Sequence, residues 1–153
     1  MKRILIAFVL LGSAAFAQNS TGVDKDNGLP NAKLGAPFKS FKNMKLEKDY
    51  STFKVYKRTT DTLKVGTVKV SEISYRFAND TLFAIGIIVK DMHAAQQLRK
   101  YGKDHYGPGE DGTRLNSCSW VGVKARAMYM ESPEKTDATL SIGSKLYGPR
   151  LKK

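Results

Sequence analysis

The chain has 153 residues, with 26 Lys+Arg against 14 Asp+Glu for a formal net charge of +12, 41% hydrophobic residues and a single cysteine. That is room for one domain with a modest core. The hydrophobic share excludes a wholly disordered chain, and one Cys excludes both a disulfide scaffold and a cysteine-built zinc site.

The chain opens on Met1-Lys2-Arg3, runs apolar over residues 4–11, and continues Gly12-Ser13-Ala14-Ala15-Phe16-Ala17. Two cations, a short apolar core and an Ala-x-Ala ending are the parts of a secretory signal peptide, with cleavage expected after Ala17. The apolar run falls short of the roughly 20 residues that span a bilayer. The mature chain is therefore expected to be periplasmic or secreted, with no transmembrane segment. No cysteine stands at the cleavage point to carry a lipid. Residues 18–33, rich in Asn, Ser, Gly and Asp, read as a flexible leader. The folded domain is expected over 34–147, followed by a basic tail at 148–153.

Pro37 precedes Phe38, Phe41 and Met44 at helical spacing, which predicts a short N-terminal helix over 37–45. From Phe53 the period becomes two, a half-exposed strand, with Asp61-Thr62 as its turn. Over 63–78 the apolar parity slips from Val68 and Val70 to Ile73, Tyr75 and Phe77, which predicts a bulge near Ser71-Glu72. Asn79-Asp80 is a two-residue turn, and 81–89 runs back apolar on both parities, as a central strand does. With that turn, Phe77 would face Leu82, Tyr75 would face Ala84, and Ile73 would face Gly86. Asp91 is a good N-cap for the main helix, 91–106, whose Met92, Ala95, Leu98 and Tyr101 form an apolar stripe. Residues 108–115 read as a polar loop. Three strands follow, over 116–121, 123–130 and 138–142. The expected fold is α+β, a largely antiparallel sheet of about five to six strands with helices on one face.

Motifs that could carry chemistry are few. Gly107-Pro108-Gly109-Glu110-Asp111-Gly112 spells G-x-G-x-x-G, but it follows a helix and opens a loop, the reverse of a dinucleotide fingerprint. Asp24-Lys25-Asp26-Asn27-Gly28 begins like a calcium loop, yet Leu29 and Gly35 stand where the glycine and glutamate belong. His93 and His105 form no metal-binding pair. No catalytic, cofactor or metal residue is assigned on these grounds. Cys118 lies in an expected strand, where a free cysteine behaves as a small buried hydrophobe.

The charge excess lies in the strand-rich segments, whereas residues 91–116 balance four cations with four anions. Lys54, Arg58, Lys69, Arg76, Lys124 and Arg126 are therefore candidates for one polyanion-binding sheet face, with Tyr56 beside them. The alternative is that these long side chains only solubilise the sheet. Export makes nucleic acid a poor partner.

Leu34-Gly35-Ala36-Pro37-Phe38, the hairpin from Ile73 through Asn79-Asp80 to Phe83, Tyr106-Gly107 and Trp120-Val121-Gly122 together resemble a type of small exported bacterial α+β protein to which no activity is assigned. The resemblance implies export and the fold class, and brings no site residues. Asp61-Thr62-Leu63 and Asp80-Thr81-Leu82 also resemble the Asp-Thr-apolar acceptor of bacterial O-glycosylation. The leading expectation is an exported, non-enzymatic binding module for a protein or an anionic envelope polymer. One alternative is a small hydrolase using Glu110, Asp111 or His105. The other is an envelope assembly accessory acting by strand addition.

Overall fold

The computed structural model of the chain describes residues 21–113 and 116–149. The expected signal peptide and residues 150–153 of the tail lie outside the described residues, as do Arg114 and Leu115. Among those described, no helix is long and apolar enough to cross a membrane.

The elements run α1 (Thr21–Asp26), β1 (Gly28–Leu29), β2 (Ala32–Lys33), a 3-10 turn (Phe38–Ser40), β3 (Met44–Asp49), β4 (Lys54–Arg58), β5 (Lys64–Val65) and β6 (Val68–Lys69). They continue with β7 (Glu72–Ala78), β8 (Thr81–Val89), α2 (Met92–Tyr106), β9 (Glu110–Asp111), β10 (Cys118–Val121), β11 (Ala125–Glu131) and β12 (Ala138–Ser144). Eight strands form one antiparallel sheet in the order β3-β4-β7-β8-β12-β11-β10-β9. The hairpins β1-β2 and β5-β6 stand apart from it. The class is α+β with one main helix, as expected, but the sheet is wider than five to six strands.

Two strands account for the difference. The expected helix over 37–45 is instead the 3-10 turn followed by β3, because Asn43 adopts φ 58 and turns the chain out of any helix. Phe38 and Phe41 still anchor this segment, edge-on to Phe77 at 5.1 and 5.2 Å. The second addition is β9, two residues of the expected polar loop that pair with Cys118 and Ser119.

Residues 21–33, read as a flexible leader, carry α1 and the β1-β2 hairpin, with Val23, Leu29 and Ala32 buried. The Asp24 carboxylate ties α1 to the β10-β11 turn, accepting the backbone N–H groups of Val123 (2.6 Å), Lys124 (2.9 Å) and Ala125 (2.8 Å). It is thus an anchor bonded to backbone, in the segment whose first residues are spelled like a calcium loop.

The turn between β7 and β8 is as expected, with Asn79 at φ 48 and Asp80 at φ 56, the left-handed pair a tight hairpin requires. Its register differs beyond Phe77↔Leu82, because a bulge follows and Tyr75 faces Ile85, Ile73 faces Ile87, and Gly86 faces Ser74. The extra residue keeps both Leu82 and Ile85 on the buried face. The parity slip near Ser71-Glu72 has another cause: Val68 belongs to the small hairpin and β7 to the main sheet, so the chain changes sheets there.

Tyr75, Ile85, Ile87, Leu140, Ile142, Tyr129 and Trp120 are buried on one sheet face, under Ala95, Leu98, Gly102 and Tyr106 of α2. Full burial of side chains this size contributes about 1.5–3 kcal/mol each. Asp91 caps α2 by accepting from the His93 and Ala94 N–H groups. The buried stripe ends on Gly102 and Tyr106, because Gly102 faces the Trp120 indole, which a Cβ there would meet at 2.6 Å.

The strand order is symmetric about its centre, with two four-stranded meanders, β3, β4, β7 and β8 in one half and β9, β10, β11 and β12 in the other. The two meanders join where their last strands, β8 and β12, pair antiparallel.

Candidate functional site

Helices and the aromatic cluster cover one face of the sheet, and the alternation of side chains along each strand sends the other set outward. One cross-strand row on that outer face reads Val55–Arg76–Ala84–Gly143–Arg126–Val121, from the registers of β4, β7, β8, β12, β11 and β10. Arg76 and Arg126 thus stand in one row on either side of a small-residue floor. Three strand spacings place their Cα atoms about 14 Å apart. The next row on the floor is Ser74–Gly86–Ser141–Met128. Arg76 folds back over it, with Nη2 3.8 Å from where a Cβ on Gly86 would sit.

The result is a groove of about 450 Å³ with Arg76 and Arg126 on its banks, Ala84, Ser141 and Gly143 in its floor, and Phe83, Val121, Met128 and Met130 in its walls. Neither guanidinium has a carboxylate within ion-pair distance among the described residues. Unpaired arginines over an apolar floor can hold a carboxylate or phosphate bidentately while apolar neighbours thin the competing water.

The other four candidate cations lie elsewhere. Lys54, on the inner side of β4, pairs with Asp49 at 3.5 Å. Arg58 is largely buried, its guanidinium 5.2 Å over Phe41 and 5.1 Å over Tyr75, beside Asp61 at 3.7 Å. Asp61 also accepts the Tyr75 hydroxyl at 2.7 Å, and desolvation first, then this bond, pushes the phenol pKa up. Lys69 stands on the small β5-β6 hairpin, and Lys124 in the β10-β11 turn. Tyr56 packs inward on Phe38 at 4.7 Å and does not face the groove.

Of the groups considered for hydrolysis, Asp111 and His105 have separate partners. Asp111 pairs with Arg99 (2.8 Å) and Lys103 (3.3 Å), and Arg99 above all holds its carboxyl at a pKa of about 2. Glu110, the adjacent β9 residue, projects to the opposite side of the strand. His105 stacks on Tyr101 at 3.9 Å, its Nδ1 3.0 Å from the Tyr101 carbonyl. Cys118 is fully buried, and desolvation, reinforced by Asp111, pushes its thiol up to about 11. Among the described residues no group of three or more His, Cys, Asp and Glu could hold a metal ion.

Gly107 and Gly109, at φ 100 and φ 69, wrap the Trp120 indole, whose Nε1 donates to the Gly107 carbonyl at 2.8 Å. That is the use of the glycine-rich segment. Thr62 is exposed before β5, whereas Thr81 opens β8 and donates to the Asn79 carbonyl. The long edge strand β3 carries Lys45, Glu47 and Lys48 and a bulge after Leu46, features that discourage pairing with another strand.

The walls and floor of the groove went unrecognised in the sequence. Their signal was present: in β11, Arg126, Met128 and Met130 alternate with Ala125, Ala127 and Tyr129. No protein-family model, curated protein or solved structure matches the chain.

Proposed function

We propose that the chain is an exported binding module whose open sheet face takes an anionic partner, a protein or an envelope polymer, between Arg76 and Arg126. The single observation that carries this reading is the Arg76–Ala84–Gly143–Arg126 row, with both guanidiniums unpaired among the described residues. Small floor residues let a partner approach the backbone, and flexible Met128 and Met130 adapt to its shape. Export rests on the first 17 residues.

The test uses residues 18–153, which include every described residue. Binding to anionic and neutral envelope polysaccharides is compared at low and high salt by calorimetry, alongside pull-down from envelope fractions. Arg76→Gln with Arg126→Gln is expected to weaken salt-dependent binding by roughly tenfold or more, at about 1.5–3 kcal/mol for each charged hydrogen bond lost. Unchanged binding in the double variant, or wild-type binding insensitive to salt, would overturn the assignment of the face.

A further inference from the structure

The groove has a shape as well as a charge, and the shape narrows what it holds. Arg126, Met128 and Met130 point outward in line along β11 and make a ridge, with Met128 46% and Met130 40% exposed. Beside it the register sets Gly143, Ser141 and Thr139 of β12, and beyond them Ala84 and Gly86 of β8, as a low lane two strands wide. The far bank is Arg76 on β7, level with Arg126 across the Ala84–Gly143 row. Two side-chain steps along β12 make the lane about 14 Å long, and three strand spacings make it about 14 Å from bank to bank. A helix with its side chains is about 10–12 Å across and climbs about 5.4 Å per turn, so the lane takes one helix over roughly two to three turns.

Other occupants fit less of it. A free sheet face packs against helices or a second sheet. A second sheet needs a broad apolar surface, but the β3-β4-β7 side of this face is interrupted by Glu47, Lys57, Glu72 and Arg76. An added strand pairs at an edge and not on a face. A sugar polymer would leave the methionine ridge without an apolar partner. On the inner face the same strands, β8, β12 and β11, already meet a helix, α2. The charge is as specific as the shape, since Arg76 and Arg126 are the only titratable residues that line the groove among those described. Of the acids around it, Glu72 is paired with Lys57 at 3.1 Å, and Asp24 is held by the N–H groups of the β10-β11 turn. Glu110, at the β9 edge, stands two strands and one row away from Arg126.

We infer that the occupant is an acidic amphipathic helix of a partner protein, lying along β12 with small and aliphatic side chains in the lane and carboxylates on both flanks for Arg76 and Arg126. The two arginines stand at one height on opposite banks, so the carboxylates that meet them are about two residues apart in the helix, where about 200° of rotation sends them to opposite flanks. Unbranched Met128 and Met130 re-pack around different aliphatic partners. This inference rests on the reading of the groove as a site for an anionic partner and selects, between a protein and a polymer, the protein.

The test is selection from a random peptide display library against residues 18–153, with peptides of about 16 residues, long enough to hold a helix. Enriched peptides are expected to carry apolar residues at i, i+3, i+4 and i+7 with acids on both flanks, and to gain helical circular dichroism on binding. Binding should fall roughly tenfold or more on Arg76→Gln with Arg126→Gln. Gly143→Leu fills the lane and removes no charge. A Cβ there meets only the Phe83 carbonyl oxygen, at 3.9 Å, so the sheet accepts it, and helix binding should fall roughly tenfold or more. Thermal melting confirms that the variants fold. No enrichment, enriched peptides without that spacing, or helix binding that survives Gly143→Leu or the arginine double substitution overturns the inference. If salt-dependent binding to an acidic polysaccharide is meanwhile lost on the arginine double substitution, the anionic groove stands and the helix alone falls. If neither peptide nor polymer binding responds to that substitution, both fall.

Discussion

The Asp24 anchor gives a quantitative test of how the N-terminal segment is held. One carboxylate accepts three backbone N–H groups at 2.6 to 2.9 Å, and hydrogen bonds to a charged acceptor contribute about 1.5–3 kcal/mol each when buried. Two of the three donors are exposed, and water replaces much of what they would lose. Asp24→Ala is therefore expected to cost about 2–4 kcal/mol, a total below the sum of three buried bonds. Asp24→Asn keeps one oxygen, enough for Lys124 and Ala125, but turns an amide N–H toward that of Val123. It should cost about half as much. Desolvation alone would raise the Asp24 pKa, yet the three bonds hold it below the ordinary value of 3.8. A depressed folded pKa contributes stability above the unfolded value and loses it as pH falls through the folded one. The difference between wild type and Asp24→Asn in urea unfolding should thus be full at neutral pH and shrink below about pH 4. Asp111 also titrates low, but it is common to both proteins and cancels. A wild-type minus Asp24→Ala difference under about 0.5 kcal/mol at neutral pH, or one that does not shrink in acid, would refute the reasoning.

Gly102→Ala, a change that stabilises most helices, should here destabilise by about 1–3 kcal/mol, since the new methyl meets Trp120 at 2.6 Å; thermal unfolding with tryptophan fluorescence reads both effects. Cys118 should react with a thiol reagent at pH 8 only on unfolding, because its thiol is buried and held up to about 11; rapid labelling of the native protein would show that the strand opens.

Where the sequence pattern was strong, the structure follows it. Asp91 caps α2, Asn79-Asp80 turns the central hairpin, and the alternating segments of the last third are strands. The failures have local causes. Met-Lys-Leu-Glu-Lys-Asp in β3 is an edge strand defended by charge, so its apolar period is faint and the preceding aromatics mimicked a helix. Residues 21–33 looked polar because their few apolar side chains, Val23, Leu29 and Ala32, are held by long-range bonds such as those of Asp24. For the site, the charge excess pointed to the strands, but which face a cation occupies depends on register. A single bulge beyond Phe77 decided what Arg76 stands beside. Lys54 and Arg58 share a parity opposite to that of the groove, and no count of charge reveals it.

The joining of the two meanders through β8 and β12 also bears on how the chain folds. Each half can build its own hairpins from neighbouring sequence, but the seam pairs strands some fifty residues apart and forms late. Until it closes, each half exposes a long, strongly apolar edge whose complement exists on every other copy of the chain. At high concentration, the β8 edge of one molecule can meet the β12 edge of another before its own, giving a domain-swapped dimer with the same contacts. Dilution during refolding should favour the monomer for this reason, and coexpressed halves split between Lys90 and Asp91 should reassemble through that seam.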